Sequence, residues 1–268
     1  MKRNMKKIVF ALCAMAMFWP VAVCQEKTYK VGDVFYEDGE AVGVVFAVED
    51  GGRHGKVVRL WDFTSVGRCW GDSWGTGNVG YGWESYRLYR SQDNELLHQT
   101  VSEEAVHNAN SGATDKNDGA LNSRRIVWNW YYKRKDDGSL STELYCPLLR
   151  DIMGICNPEL FDSVTSQDES DAFNYYDPVR EGHWYLPAVG ELEELYGLCA
   201  QEGLNEAIEA AGGKALYGFY WSSTELVWDD GDATHAYTYN IFGGYSHYMY
   251  KYDGISNPPV YVRAVRRF

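Results

Sequence analysis

Apolar and polar positions alternate near the two ends of the mature chain and recur at helical spacing in its middle. Val31 to Tyr36, Ala41 to Val48 and Lys56 to Leu60 are short runs rich in β-branched residues. Turns at Asp38-Gly39 and Asp50-Gly51-Gly52 divide them, which predicts a β-meander. Towards the C-terminus, Tyr217 to Ser223, Ala236 to Phe242, Tyr245 to Tyr252 and Val260 to Phe268 read as four further strands. The second and third of these join through Gly243-Gly244. Between the two β regions the period changes. Leu192, Leu195, Tyr196 and Cys199 stand at i, i+3, i+4 and i+7 after Leu186-Pro187, with Glu191, Glu193 and Glu194 at the positive end. Leu204, Ala207, Ile208 and Ala211 repeat the spacing before Gly212-Gly213 stops it. Asp118 is placed to cap a helix from Gly119 to about Tyr132, and another is expected after Ser141 or Thr142, carrying Leu144, Leu148, Leu149 and Ile152. Sheet, then helices, then sheet is an α+β order and not a βαβ alternation.

The stretches between are of another kind. From Gly67 to Tyr86, Trp70, Trp74, Tyr81 and Trp83 are spaced by glycines with neither period, which predicts a long structured loop. Residues 92–118 read as polar loop with a short helical piece around Ser102 to Val106, and residues 157–182 as an acidic surface excursion.

The first residues differ from everything after them. Lys2, Arg3, Lys6 and Lys7 precede an apolar run from Ile8 to Val23 that Pro20 interrupts. A basic stretch before a short apolar one reads as an export signal, residues 1–24, too short for a membrane span of about 20 residues. Cleavage after Ala22-Val23-Cys24 leaves residues 25–268 as one domain with an N-terminal β-hairpin extension. The alternative is a lipoprotein anchored through Cys24, with Val23 bulkier than such processing sites favour.

Composition narrows the function classes. Aromatic residues make up 15% of the chain, with 10 Trp and 21 Tyr, so a large core can form. The net charge of −13 repels nucleic acid and anionic lipid. Export makes disulfides among Cys69, Cys146, Cys156 and Cys199 the expectation, with three pairings open. Zinc lacks a C-x-x-C or C-x-x-H pair, and buried free thiols are the remaining alternative.

Several segments, taken in order, resemble one family. HWYLPAVGELEELY (His183 to Tyr196), YWSSTE (Tyr220 to Glu225) and the closing VYVRAVRRF are similar to the collagen-like-adhesin C-terminal domain family, formerly classed as a domain of unknown function. GVVFAVEDGGRHGKVVRL and DGALNS upstream resemble the N-terminal half of its exported bacterial members. The resemblance implies a C-type-lectin-like fold related to the formylglycine-generating enzyme domain. In that fold the N- and C-terminal strands pair, two helices pack on the sheet and long loops present ligands. It implies structural roles for Trp184, Leu186, Tyr220 and Trp221. Adhesins of this kind engage sulfated polysaccharides, for which Arg124-Arg125 with Lys133-Arg134-Lys135, and Arg263, Arg266 and Arg267, are candidates. The net charge of −13 and pairing of some of these arginines with carboxylates are the competing reading.

Candidate sites follow from these readings. The reactive cysteine pair of formylglycine-generating enzymes has no counterpart, since no cysteine follows Cys199. No hydrolase, zinc-protease or nucleotide-binding motif is present, and His98 and His107 around Glu103-Glu104 fit no metal helix. The expectation is therefore not an enzyme. The resemblance implies that a lectin of this fold would hold calcium with a Glu-Pro-Asn loop and a Trp-Asn-Asp strand. Trp228-Asp229-Asp230 with Asp232 are similar to the strand, but Ser256 stands before Asn257-Pro258 where the acid is needed. Asp229, Asp230 and Asp232 are therefore a weak candidate Ca²⁺ site that starts a six-oxygen shell without completing it, and a solvated acidic turn competes. Trp70, Trp74, Tyr81, Trp83, Tyr248 and Tyr250 are the candidate ligand surface, because flat apolar faces with polar edges suit sugar rings or a protein partner. These rings filling a core is the competing reading. The expected function is an exported, adhesin-like module binding glycan or a surface protein. A structural part of a surface assembly and a divergent formylglycine-generating-type enzyme are the alternatives.

Overall fold

The computed structural model describes residues 27–63, 88–90, 95–97, 112–131, 148–149, 152, 178–179, 182–229, 235–251 and 259–268. Over these residues the chain is a mixed α+β fold. The meander is present as β1 (Val34–Glu37), β2 (Glu40–Glu49) and β3 (His54–Arg59). A ribbon of β4 (Leu88–Arg90) and β5 (Glu95–Leu97) follows, the second strand falling where polar loop was expected. Helix α1 spans Gly119–Tyr131, β6 is Trp184–Tyr185, and α2 (Val189–Gln201) and α3 (Leu204–Ala210) come next. The chain closes with β7 (Phe219–Leu226), β8 (His235–Asn240), β9 (Tyr245–Tyr250), β10 (Val260–Tyr261) and β11 (Val265–Arg267).

Two sheets organise these elements. One has the order β1-β2-β3-β11-β6 and the other β10-β7-β8-β9. The C-terminal segment, expected as one strand, is two short ones in different sheets. β10 runs parallel to β7 through Val260 and Tyr261, whereas β11 pairs antiparallel with β3 through Val265 to Arg267. Arg263 lies in the stretch between these two strands, and its side chain is fully buried.

Each face of the second sheet meets its own core. Trp221, Ala236 and Val260 pack with Val45, Ile126, Leu148, Leu149, Ile152, Trp184 and Leu186. Tyr220 and Tyr239 pack with Val44, Phe46, Leu192, Leu195 and Ile208. The helical spacing is realised: Leu192, Leu195, Leu204 and Ile208 are buried, and Glu193 is exposed. Trp184, Leu186, Tyr220 and Trp221 are all core residues, as their size favours. The remainder of the helix expected after Ser141 lies outside the described residues.

Cys199 is a free thiol on α2, which removes it from the expected disulfides; Cys69, Cys146 and Cys156 lie outside the described residues. Burial pushes this thiol up to about 12, with Arg263 opposing and Glu206 adding to the shift. The thiolate is the reactive form, so near pH ~8 its population is on the order of a thousandfold below that of an unfolded cysteine. Alkylation of Cys199 in the native protein is expected to be slower than in urea by that order, followed by mass spectrometry of the peptide. Equal rates in both conditions would mean that the site opens freely.

Candidate functional site

The motif residues are brought together, but inside the protein. Glu191 is the third residue of α2 and is buried. Its Oε2 accepts the N–H groups of Ala188 at 2.9 Å and Gly119 at 3.1 Å. Its Oε1 accepts the Tyr185 hydroxyl at 3.0 Å and pairs with the Lys56 ammonium at 2.8 Å. One carboxylate thus joins β3, β6 and the first turns of α1 and α2. Burial, then the Glu191 charge, holds the Tyr185 phenol well above its ordinary value, so it stays a donor.

Ser123 and Thr224 extend this node. Ser123 Oγ accepts from the Leu186 N–H at 3.1 Å and donates to the Leu186 carbonyl at 3.3 Å. Thr224 Oγ1 donates to the Asp115 carbonyl at 2.9 Å and accepts from the Val189 N–H at 3.1 Å. Asp118 caps α1 by accepting the Leu121 N–H at 2.9 Å and binds Arg267 at 3.0 Å. Glu225, next in YWSSTE, holds the Lys251 ammonium in a buried pair.

The C-terminal arginines are committed to the same framework. Arg263 donates to Asp62 at 2.7 Å and to the carbonyls of Arg59, Leu60 and Lys214 at 2.8–2.9 Å. Arg266 pairs with Glu37 at 3.0 Å and lies over the rings of Phe35 and Trp184. For these three the competing reading, pairing with carboxylates, is the one observed: Arg263 and Arg266 are buried and each of the three has a carboxylate partner. Arg124 and Arg125 are half-buried on α1, and Arg125 donates to the Gly112 carbonyl; Lys133, Arg134 and Lys135 lie outside the described residues.

The surface counterpart of this framework is a set of rings on the β7–β8–β9 sheet. Leu226 pairs with His235, and Tyr237 pairs with Tyr248. Side chains two residues apart on a strand share a face, so His235 and Tyr248 emerge together, and Trp228 joins them from beyond the end of β7. The Trp228 and Tyr248 ring centroids are 5.5 Å apart with planes at 89°. Trp228 and His235 are 6.0 Å apart at 86°, and His235 and Tyr248 5.6 Å apart at 81°. Trp228 is 40% and Tyr248 43% exposed, values too high for core residues.

The ring set continues around the sheet edge. His247 stacks on Tyr248 at 5.3 Å, and Phe219 lies 6.4 Å from His247 and 5.9 Å from Tyr245. Phe242, 70% exposed on the β8–β9 turn, meets Tyr217 at 5.1 Å. That turn is seated by Gly244, whose φ of 70° suits glycine and whose added Cβ would fall 2.4 Å from the Tyr196 ring on α2.

Of the expected ligand residues, Tyr248 is therefore on an exposed aromatic face. The backbone of Tyr250 belongs to β9, but its side chain lies outside the described residues, as do Trp70, Trp74, Tyr81 and Trp83. Asp229 is exposed beside Trp228, while Asp230 and Asp232 lie outside the described residues. Among the described residues no group of three His, Cys, Asp or Glu side chains is placed to hold a metal ion. Trp228 and His235 were not among the expected ligand residues. The signal for His235 was the period-2 run His235, Tyr237, Tyr239, and that for Trp228 its place before Asp229-Asp230. No family model matches the chain, and no curated protein matches it.

Proposed function

We propose that the chain is an exported, non-catalytic binding module of a bacterial envelope that recognises glycan or a surface protein through the Trp228–His235–Tyr248 face. The observation that carries this reading is that Trp228 and Tyr248 are exposed and in contact with each other and with half-buried His235, while Trp221, Tyr220 and Tyr239 of the same sheet are buried. Clustered exposed rings cost solvation without contributing to the core, and such patches serve recognition. The polar groups of the motifs support the same view from the opposite side, because they are spent on holding secondary structure.

A C-type-lectin-like architecture is the finer fold reading. It is supported by the antiparallel pairing of β3 with β11 near the two ends of the mature chain, and by helices packed on the sheets. The basic residues of β11 being occupied, and the net charge of −13, favour neutral over sulfated glycans.

The test is a glycan-array screen of the mature protein with calcium and again with chelator. Saturable binding is expected to fall about tenfold or more in Trp228→Ala and in Tyr248→Ala, in line with loss of a stacked aromatic contact, with the melting temperature unchanged. Binding that survives both substitutions would place the ligand elsewhere. No glycan bound by well-folded protein would leave a protein partner or a role in a surface assembly. Loss on chelation would make the binding calcium-dependent.

A further inference from the structure

We propose that the corner bounded by Trp228, His235 and Tyr248 is a site for an alkylated ammonium group of the trimethylammonium kind. The proposal deepens the reading of this face as a ligand surface and rests on it. Three planes at 81–89° to one another define a corner, and their centroids stand 5.5–6.0 Å apart. A group seated in this corner falls within the ~6 Å of each centroid over which a ring face attracts a cation. Three rings acting on one cation also give directional selectivity that a single exposed ring lacks.

Charge points the same way. The ring faces carry the negative end of their quadrupoles, Asp229 follows Trp228 at the surface, and the whole chain carries −13. An anion would meet the opposite field. A primary ammonium keeps its water strongly, and rings that are about half open do not strip it. An alkylated ammonium is weakly hydrated and presents methyl groups to three ring faces at once, so the corner favours it over lysine-like amines.

The probe is choline, with its neutral tert-butyl analogue as the isosteric control, observed by saturation-transfer NMR on the methyl signals. Choline is expected to bind saturably with a dissociation constant on the order of a millimolar, as one small cation in an open aromatic corner allows. The neutral analogue is expected to bind at least about tenfold more weakly, the loss of a cation–ring attraction. Trp228→Ala and Tyr248→Ala should each abolish the signal, whereas Trp61→Ala, an exposed tryptophan outside the corner, should keep it.

Equal binding of choline and its neutral analogue would overturn the proposal, because the corner would then be merely apolar. Choline binding that persists in both ring variants would overturn it as well. Failure of choline together with ring-dependent glycan binding removes the ammonium site and leaves the ligand surface standing. Failure of both removes the surface too.

Discussion

Replacing Glu191 by alanine is expected to lower the unfolding free energy by about 3–5 kcal/mol, the range for leaving one partner of a buried ion pair alone. The side chain accepts from two backbone N–H groups, one phenol and one ammonium, and water has no access to replace it. Each orphaned buried donor costs about 1–3 kcal/mol before relaxation. Against a typical total of about 5–15 kcal/mol, that loss takes a large share of the stability. Glu191→Gln keeps one acceptor and turns an NH₂ towards donors, so an intermediate loss is expected. Glu193→Ala, exposed on the same helix, should stay within about 0.5 kcal/mol of wild type. Urea denaturation of the three variants distinguishes them. A Glu191→Ala protein that unfolds at the wild-type midpoint would show that the four contacts contribute nothing net.

The node also shows what a single sequence reveals and what it conceals. The helix at Val189–Gln201 was legible because Leu192 and Leu195 keep helical spacing, and the meander because two turn signals bracket β-branched runs. Glu191 read only as a charge at a helix N-terminus, since its partners at Lys56 and Gly119 are far away in sequence. The C-terminal break was hidden by the alternation of Val260, Val262 and Ala264 with Tyr261, Arg263 and Val265, which has the form of one strand. Only the acceptors from Arg59, Leu60, Asp62 and Lys214 make a buried arginine tolerable there. The ring corner was legible in part. Tyr248 stood out on a tyrosine-rich strand, but its meeting with Trp228 depends on register. β7 carries a bulge between Trp221 and Glu225, so that Trp221 pairs with Thr238 while Glu225 pairs with Ala236. Two extra residues on one strand move every later side chain along the partner, and periodicity alone carries no sign of them.

Arg263 is the second position at which a large loss is expected. Arg263→Ala should cost about 3–5 kcal/mol, because the carbonyls of Arg59, Leu60 and Lys214 and one oxygen of Asp62 lose their donors together. Lys214 still pairs with Asp62 from the solvent side, so the carbonyls carry much of the loss. Arg263→Lys is expected to rescue little: an ammonium is a point donor and does not span a fork of acceptors. Combining Arg263→Met with Asp62→Asn should recover part of the loss, and the double-mutant cycle measures the coupling. The consequence reaches the ligand surface through the chain. Arg263 stands between β10, which flanks β7, and β11, which flanks β3. Loosening it should raise hydrogen exchange along β7 and β10 together, whereas Trp228→Ala should leave that exchange untouched while removing ligand. If Arg263→Ala lowered stability with no added exchange in β7, the two sheets would be anchored independently and the corner would not depend on the C-terminal segment.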